Sequence, residues 1–135
     1  MDNKQTISGL KIEIDKFVKE RNWDKFQNLR SLAISLSLES NELLDHFQWL
    51  SDLEVEKYEQ DTSKHNELAE ELSDILSYVL ITSNKLNIDL STAFLKKLEK
   101  NRQKYPADEF NKDLTREEDN QKYQNLRKDW DNKIK

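Results

Sequence analysis

The chain has 135 residues, 36% of them charged, with a formal net charge of −5, one glycine, one proline and no cysteine. That length fits one domain of ordinary size, and so few breakers exclude a many-stranded sandwich or barrel, which needs a turn every eight residues or so. The absence of cysteine excludes disulfides, thiolate zinc and a cysteine nucleophile.

Apolar residues make up 35% of the chain and mean hydropathy is −1.00, so a core forms only if nearly all of them face inward. The N-terminal segment MDNKQTISGLKIEID lacks the apolar centre of a signal peptide. No stretch approaches the roughly 18 apolar residues of a membrane span. These features lead us to expect a soluble, cytoplasmic protein with no membrane partner. The acidic balance argues against a nucleic-acid polymer as partner, because that needs a basic face.

In chain order, Ile7, Leu10, Ile14, Phe17 and Val18 recur at helical spacing and predict a first helix over roughly residues 5–20. Residues 21–28 read as a polar connection carrying Trp23 and Phe26. Leu32, Leu36, Leu43, Phe47 and Leu50 predict a second helix over roughly 29–50. Residues 52–64 are charged and poor in aliphatic side chains, and read as a loop. Leu68, Leu72, Ile75, Leu76, Val79 and Leu86 mark a third helix over roughly 65–87. A fourth begins after a short turn, capped by Asp89 or Ser91, and stops at Tyr105, because Pro106 disfavours helical geometry in the residue before it. Thr115-x-x-Glu118 has capping-box spacing. The stripe Tyr123, Leu126, Trp130, Ile134 then predicts a C-terminal helix. The expected architecture is an all-α, antiparallel four-helix bundle-like domain over residues 1–107 and a charged, helical extension over 108–135.

Charge is unevenly placed along these helices. From Glu39 to Asp74 the local balance is −10, and from Lys85 to Lys104 it is +4. Within the acidic stretch, Glu39-x-x-Glu42 and Glu71-x-x-Asp74 each put two carboxylates on one helix face beside aliphatic residues. If the two helices pack antiparallel, four anions meet near the core, where they repel and resist desolvation unless a cation neutralises them. An all-oxygen donor set favours magnesium or manganese over zinc. In a chain with 27 acidic residues such spacings also arise as solvated helix faces, and Glu67 and Glu70 share them. A di-iron carboxylate bundle is excluded, because neither histidine lies in a Glu-x-x-His motif. His46 reads as a surface residue and His65 as a helix-start residue. The single glycine also excludes a glycine-rich phosphate loop.

Glu39-x-x-Glu42, 28 intervening residues and Glu71-x-x-Asp74, together with FVKERNWDKF (17–26), NELLDHFQW (41–49), ELAEELSDILSYVL (67–80) and KLEKNRQKYPA (97–107), resemble the MazG-like nucleotide pyrophosphohydrolases. Within that family the segments look most like the dCTP pyrophosphatase-type branch. The resemblance implies an all-α fold and hydrolysis of a (deoxy)nucleoside triphosphate to the monophosphate and pyrophosphate, with a role in cleansing the nucleotide pool. It also implies Mg²⁺, or Mn²⁺, as cofactor and an oligomer, commonly a homodimer or homotetramer, whose subunits together close the pocket. Residue by residue, it makes Glu39, Glu42, Glu71 and Asp74 metal ligands; our own candidate for orienting the attacking water is Glu39 or Glu42. Trp23 and Trp49 match nucleobase-pocket positions, with Phe26 and Gln27 nearby, and Tyr78 matches a nucleotide contact. Asn101, Arg102, Lys104 and Tyr105 match the stretch that reaches sugar and phosphates. The chain departs from that branch at Ile14 and Gln27, where histidine is frequent, and at Leu29, where proline is. A preference for cytosine therefore does not carry over. Two other readings stay open on the residues alone: a non-catalytic acidic helical interaction protein, and a nucleotide sensor that binds without hydrolysis.

Overall fold

The computed structural model describes residues 3–110 and 113–134, and all regular structure among them is helical. The helices are α1 (Ile7–Glu20), α2 (Leu29–Asp45), α3 (Asp52–Gln60), α4 (His65–Lys85), α5 (Leu90–Lys104) and α6 (Arg116–Ile134). Short 3₁₀ turns occupy Asp24–Phe26 and Ala107–Glu109. The chain divides into two compact units, Met1–Ile88 and Asp89–Lys135.

In the first unit α4 is the central element, packed against α2 and α1. Early α1 meets the end of α4, where the Asn84 amide donates to the Lys11 carbonyl at 2.9 Å and Lys11 Nζ donates to the Ile88 carbonyl at 2.8 Å. The end of α2 meets the start of α4, with His46 3.9 Å from Glu71. Both neighbours therefore run antiparallel to α4, as expected. The buried side chains among the described residues are Val18, Leu32, Leu80 and Ser83, one or two from each of the three helices. Ser83 enters this apolar setting by returning its hydroxyl to the Leu80 carbonyl at 2.8 Å.

Caps set the helix ends. Thr6 and Asn28 accept from the third backbone N–H beyond them, each at 3.0 Å. α1 and α4 both end in Schellman motifs with asparagine in the left-handed position, at Asn22 and Asn87, each with φ 52°. The N–H of Trp23 reaches the Val18 carbonyl at 3.1 Å, and that of Ile88 reaches Ser83 at 2.9 Å. Asparagine thus supplies the turn conformation that a chain with one glycine otherwise lacks.

Segment 52–64, expected to be a loop, contains α3 instead. The local reason is a cap. The N–H and hydroxyl of Ser51 both donate to Glu54 Oε2, at 2.9 and 2.6 Å. Val55 and Tyr58 then supply a partly buried face in a sequence whose composition is otherwise polar.

In the second unit Asp89 caps α5, accepting from the Thr92 N–H at 2.7 Å, and α5 packs on α6. Tyr105 stacks on Tyr123 with ring centroids 5.0 Å apart and planes 14° from parallel. Thr115 and Glu118 form the reciprocal capping box read from the sequence. The C-terminal helix expected beyond it is α6. Leu126 and Trp130 are half-buried along its stripe, and the side chain of Ile134 lies outside the described residues.

Candidate active site

Antiparallel packing of α2 and α4 brings three of the four predicted carboxylates together. Oxygens of Glu39, Glu42 and Glu71 lie within 4.8 Å of one another, Glu42 exposed and the other two half-buried. Asp74, one turn beyond Glu71, is exposed and outside this tight group but within electrostatic reach of it. Glu39 feels the gathering of charge most. Partial burial holds its carboxyl above the ordinary carboxylate range, and the charges of Glu42, Asp74 and Glu71 push the same way. Among the described residues no lysine or arginine pairs with any of the four; the one positively chargeable neighbour is His46 beside Glu71.

An all-oxygen cluster of this kind, without a lysine or arginine partner among the described residues, fits a hard divalent cation: the donors are carboxylates, with no thiolate. The repulsion that raises Glu39 is what such a cation relieves.

Beside the acids lies an aromatic cavity of about 380 Å³, lined by Ile14, Phe17 and Val18 of α1, by Trp23 and Gln27, and by Asp74, Ser77, Tyr78 and Ile81 of α4. Asp74 therefore belongs at once to the acidic cluster's field and to the cavity wall. A second cavity of about 270 Å³ shares Trp23, Gln27 and Tyr78 and adds Phe26, Ser31, Leu32 and Ser35. The Schellman turn at Asn22 is what directs Trp23 back toward α1. There it meets Phe17 edge-to-face, ring centroids 5.7 Å apart. Arg21 sits 3.7 Å over the Phe17 ring and donates to the Phe17 carbonyl at 3.1 Å, which holds that ring in place.

The other sequence-derived candidates are distributed differently. Trp49 follows α2 in a turn, is 86% exposed and lines neither cavity. Asn101, Arg102, Lys104 and Tyr105 belong to the second unit. There Lys104 Nζ lies 3.5 Å from Asp131, and Arg102 lies 3.4 Å from Glu99. A hydrogen bond with Tyr123 holds the Tyr105 phenol above its usual range, assisted by partial burial.

Phe17 and Ser77 line the cavity although no sequence motif marks them as site residues. Ser77 stands three positions after Asp74, so helical spacing put it on the same face. Phe17 read as one of several apolar residues of a core stripe, and only the turn at Asn22 reveals that it meets Trp23. His46 is also not the surface residue expected. It is half-buried, its Nδ1 2.7 Å from the Tyr58 hydroxyl, because α3 returns beneath the end of α2. His65 does begin α4, as expected.

The sequence profile of the MazG-like family matches residues 34–125. Among curated proteins, dCTP pyrophosphatase 1 of Rattus norvegicus and that of Homo sapiens are each 37% identical over 92 residues, which is 68% of this chain and 54% of theirs. The chain thus spans about half the length of the curated relatives it matches. Among solved structures, a pyrophosphatase from Archaeoglobus fulgidus DSM 4304 superposes with a TM-score of 0.65 at 37% identity, covering 73% of this chain and 91% of that one. No described helix is long and apolar enough to cross a membrane.

Proposed function

Because the chain belongs to the MazG-like family, we propose that it is a nucleotide pyrophosphohydrolase that cleaves a (deoxy)nucleoside triphosphate to the monophosphate and pyrophosphate. One observation carries this reading. The carboxylate cluster of α2 and α4 adjoins an aromatic cavity through Asp74, so a triphosphate and its base have adjacent places to go.

In this reading Glu39, Glu42, Glu71 and Asp74 hold Mg²⁺ or Mn²⁺. When bound, the cation neutralises charge that develops on the phosphate oxygens during in-line displacement. Glu39 or Glu42 orients the attacking water. Trp23, held near-perpendicular to Phe17, offers an aromatic surface on which a planar base stacks, and Tyr78 and Gln27 bring polar groups to the same cavity. Asn101, Arg102, Lys104 and Tyr105 serve the sugar and phosphates. Trp49 serves the base from a pocket closed by a second subunit, a role that its exposure supports. The enzyme works as a homodimer or homotetramer in the cytoplasm, where it cleanses the nucleotide pool. Large apolar side chains left exposed, among them Ile34, Leu38 and Leu44 of α2, support an assembled form.

The test is a panel of ribo- and deoxyribonucleoside triphosphates incubated with Mg²⁺, following pyrophosphate release. Turnover of at least one nucleotide is expected. Loss of several kcal/mol of charge stabilisation predicts that Glu42→Gln and Asp74→Asn each lower it by roughly two orders of magnitude. No turnover of any nucleotide, or turnover unchanged in both variants, defeats the proposal.

A further inference from the structure

The His46 contact follows from elements that the carboxylate motifs do not include. α2 ends at Asp45, and His46 and Phe47 fall in the turn that follows. The Ser51–Glu54 cap starts α3, whose residue Tyr58 packs edge-to-face on Phe47, centroids 5.2 Å apart, and on His46 at 6.0 Å. The imidazole of His46 is thereby held at Nδ1 and turned with Nε2 toward Glu71. Nδ1 lies 2.7 Å from the Tyr58 hydroxyl, and Nε2 lies 3.9 Å from Glu71 Oε1. The side chains of His46 and Glu71 are only about one-fifth exposed, at 19% and 21%.

The chemistry of the three groups selects one tautomer. If Nδ1 carried the proton of a neutral ring, a bare Nε2 lone pair would face the carboxylate, and the two would repel. With the phenol O–H donating to Nδ1, the ring proton sits on Nε2 and points at Glu71. At 3.9 Å the contact is longer than a hydrogen bond, and the Nε2–H dipole faces the carboxylate across it.

We propose that His46, oriented by Tyr58, is a positioning residue for Glu71: it holds one side of the carboxylate so that the rest faces Glu39 and Glu42. It touches neither cation nor substrate. The inference rests on the reading of the acidic cluster as a divalent-cation site, and it gives α3 a purpose, since α3 carries the residue that sets the imidazole.

The experiment measures cation binding rather than turnover. Mn²⁺ is titrated into the full-length protein at one fixed pH, and the free ion is followed by electron paramagnetic resonance. The variants are His46→Leu, His46→Gln and Tyr58→Phe, and metal-free melting curves check that each is folded. Outer-shell partners of ligands typically contribute roughly 10- to 100-fold in metal affinity. His46→Leu is expected to weaken Mn²⁺ binding by about tenfold or more. Tyr58→Phe should weaken it in the same direction but less, and His46→Gln, which keeps an N–H donor, should retain more than His46→Leu. If His46→Leu does not fold, the other two variants carry the comparison. Binding equal to wild type in folded His46→Leu and Tyr58→Phe overturns the proposal. Failure of the wild type to bind Mn²⁺ overturns it together with the metal-site reading. Binding that depends on His46 in a protein that hydrolyses no nucleotide upholds it, and only the proposed activity then falls.

Discussion

Glu39 is the residue in which fold and chemistry pull in opposite directions. Burial and three neighbouring carboxylates hold its carboxyl above the ordinary range, so the metal-free native state takes up a proton more readily than the unfolded chain does. The stability linked to that proton is fully present below the ordinary carboxylate pKa and lost as pH rises through the raised one. At neutral pH, then, a charged Glu39 destabilises the metal-free protein. Glu39→Gln is expected to raise the metal-free melting temperature at neutral pH, with the gap to wild type closing as pH falls below the carboxylate range. In the same variant the Mg²⁺-induced rise in melting temperature expected of the wild type should vanish, since ligation to the native state is the source of that rise. Melting curves across pH, with and without Mg²⁺, measure both effects. A lower metal-free melting temperature in the variant would mean that Glu39 is better compensated than its surroundings indicate.

Among the elements, the helix ends determine where side chains needed elsewhere emerge. The Schellman turn at Asn22 sends Trp23 against Phe17, and the matching turn at Asn87 closes α4 onto α1 through the Ile88 carbonyl. Both need a left-handed residue, which costs most side chains about 1–2 kcal/mol and glycine nothing. Asn87→Ala is accordingly expected to destabilise the protein by about 1 kcal/mol, whereas Asn87→Gly should be neutral or mildly stabilising. Urea unfolding distinguishes the two. α3 depends on its cap in a similar way. Hydrogen bonds from Ser51 keep Glu54 below the usual carboxylate range, so this cap is present above that range and is lost as pH falls through Glu54's lowered value. Ser51→Ala should fray α3, read as faster amide exchange around Val55–Tyr58, with little change in α4.

At the scale of the molecule, the first unit is held by a thin core. Leu32 is 1% exposed, with Val18 and Leu80 close behind, while Ile34, Leu38, Leu44, Leu53 and Trp49 keep much of their surface in water. With so little buried, one deletion matters. Leu32→Ala is expected to cost about 2–5 kcal/mol, enough to approach the whole stability of a marginal domain. The exposed apolar side chains have a separate consequence under the proposed assembly. Sedimentation of the wild type should give a mass that is a multiple of 16.2 kDa. Leu38→Glu, which places charge on an exposed apolar position, should shift it toward the monomer. A wild type that sediments as a monomer at all concentrations would remove the assembly from the proposal.

Much was legible in the sequence because it depends on neighbours a few positions away. The helical periods, the caps at Asp89 and Thr115, the stop before Pro106 and the all-α class are local consequences of residue order, and the family resemblance spans the same helices. Each carboxylate pair was equally visible, since residues three apart share a helix face in any helix. Composition misled at residues 52–64, where a low apolar content read as loop although two hydrogen bonds from Ser51 start a helix there. Tertiary structure decided what spacing along a chain cannot: that Glu39, Glu42 and Glu71 form the tight group while Asp74 turns toward the cavity, that Phe17 meets Trp23, and that His46 lies between Tyr58 and Glu71. The carboxylate and cavity contacts depend on how α1 and α2 pack against α4, the Phe17–Trp23 contact on the turn at Asn22, and the His46 contacts on where α3 and α4 meet the end of α2. The hydrophobic effect that drives such packing is non-directional and leaves a periodic stripe free to find several partners. Only the packed helices select one.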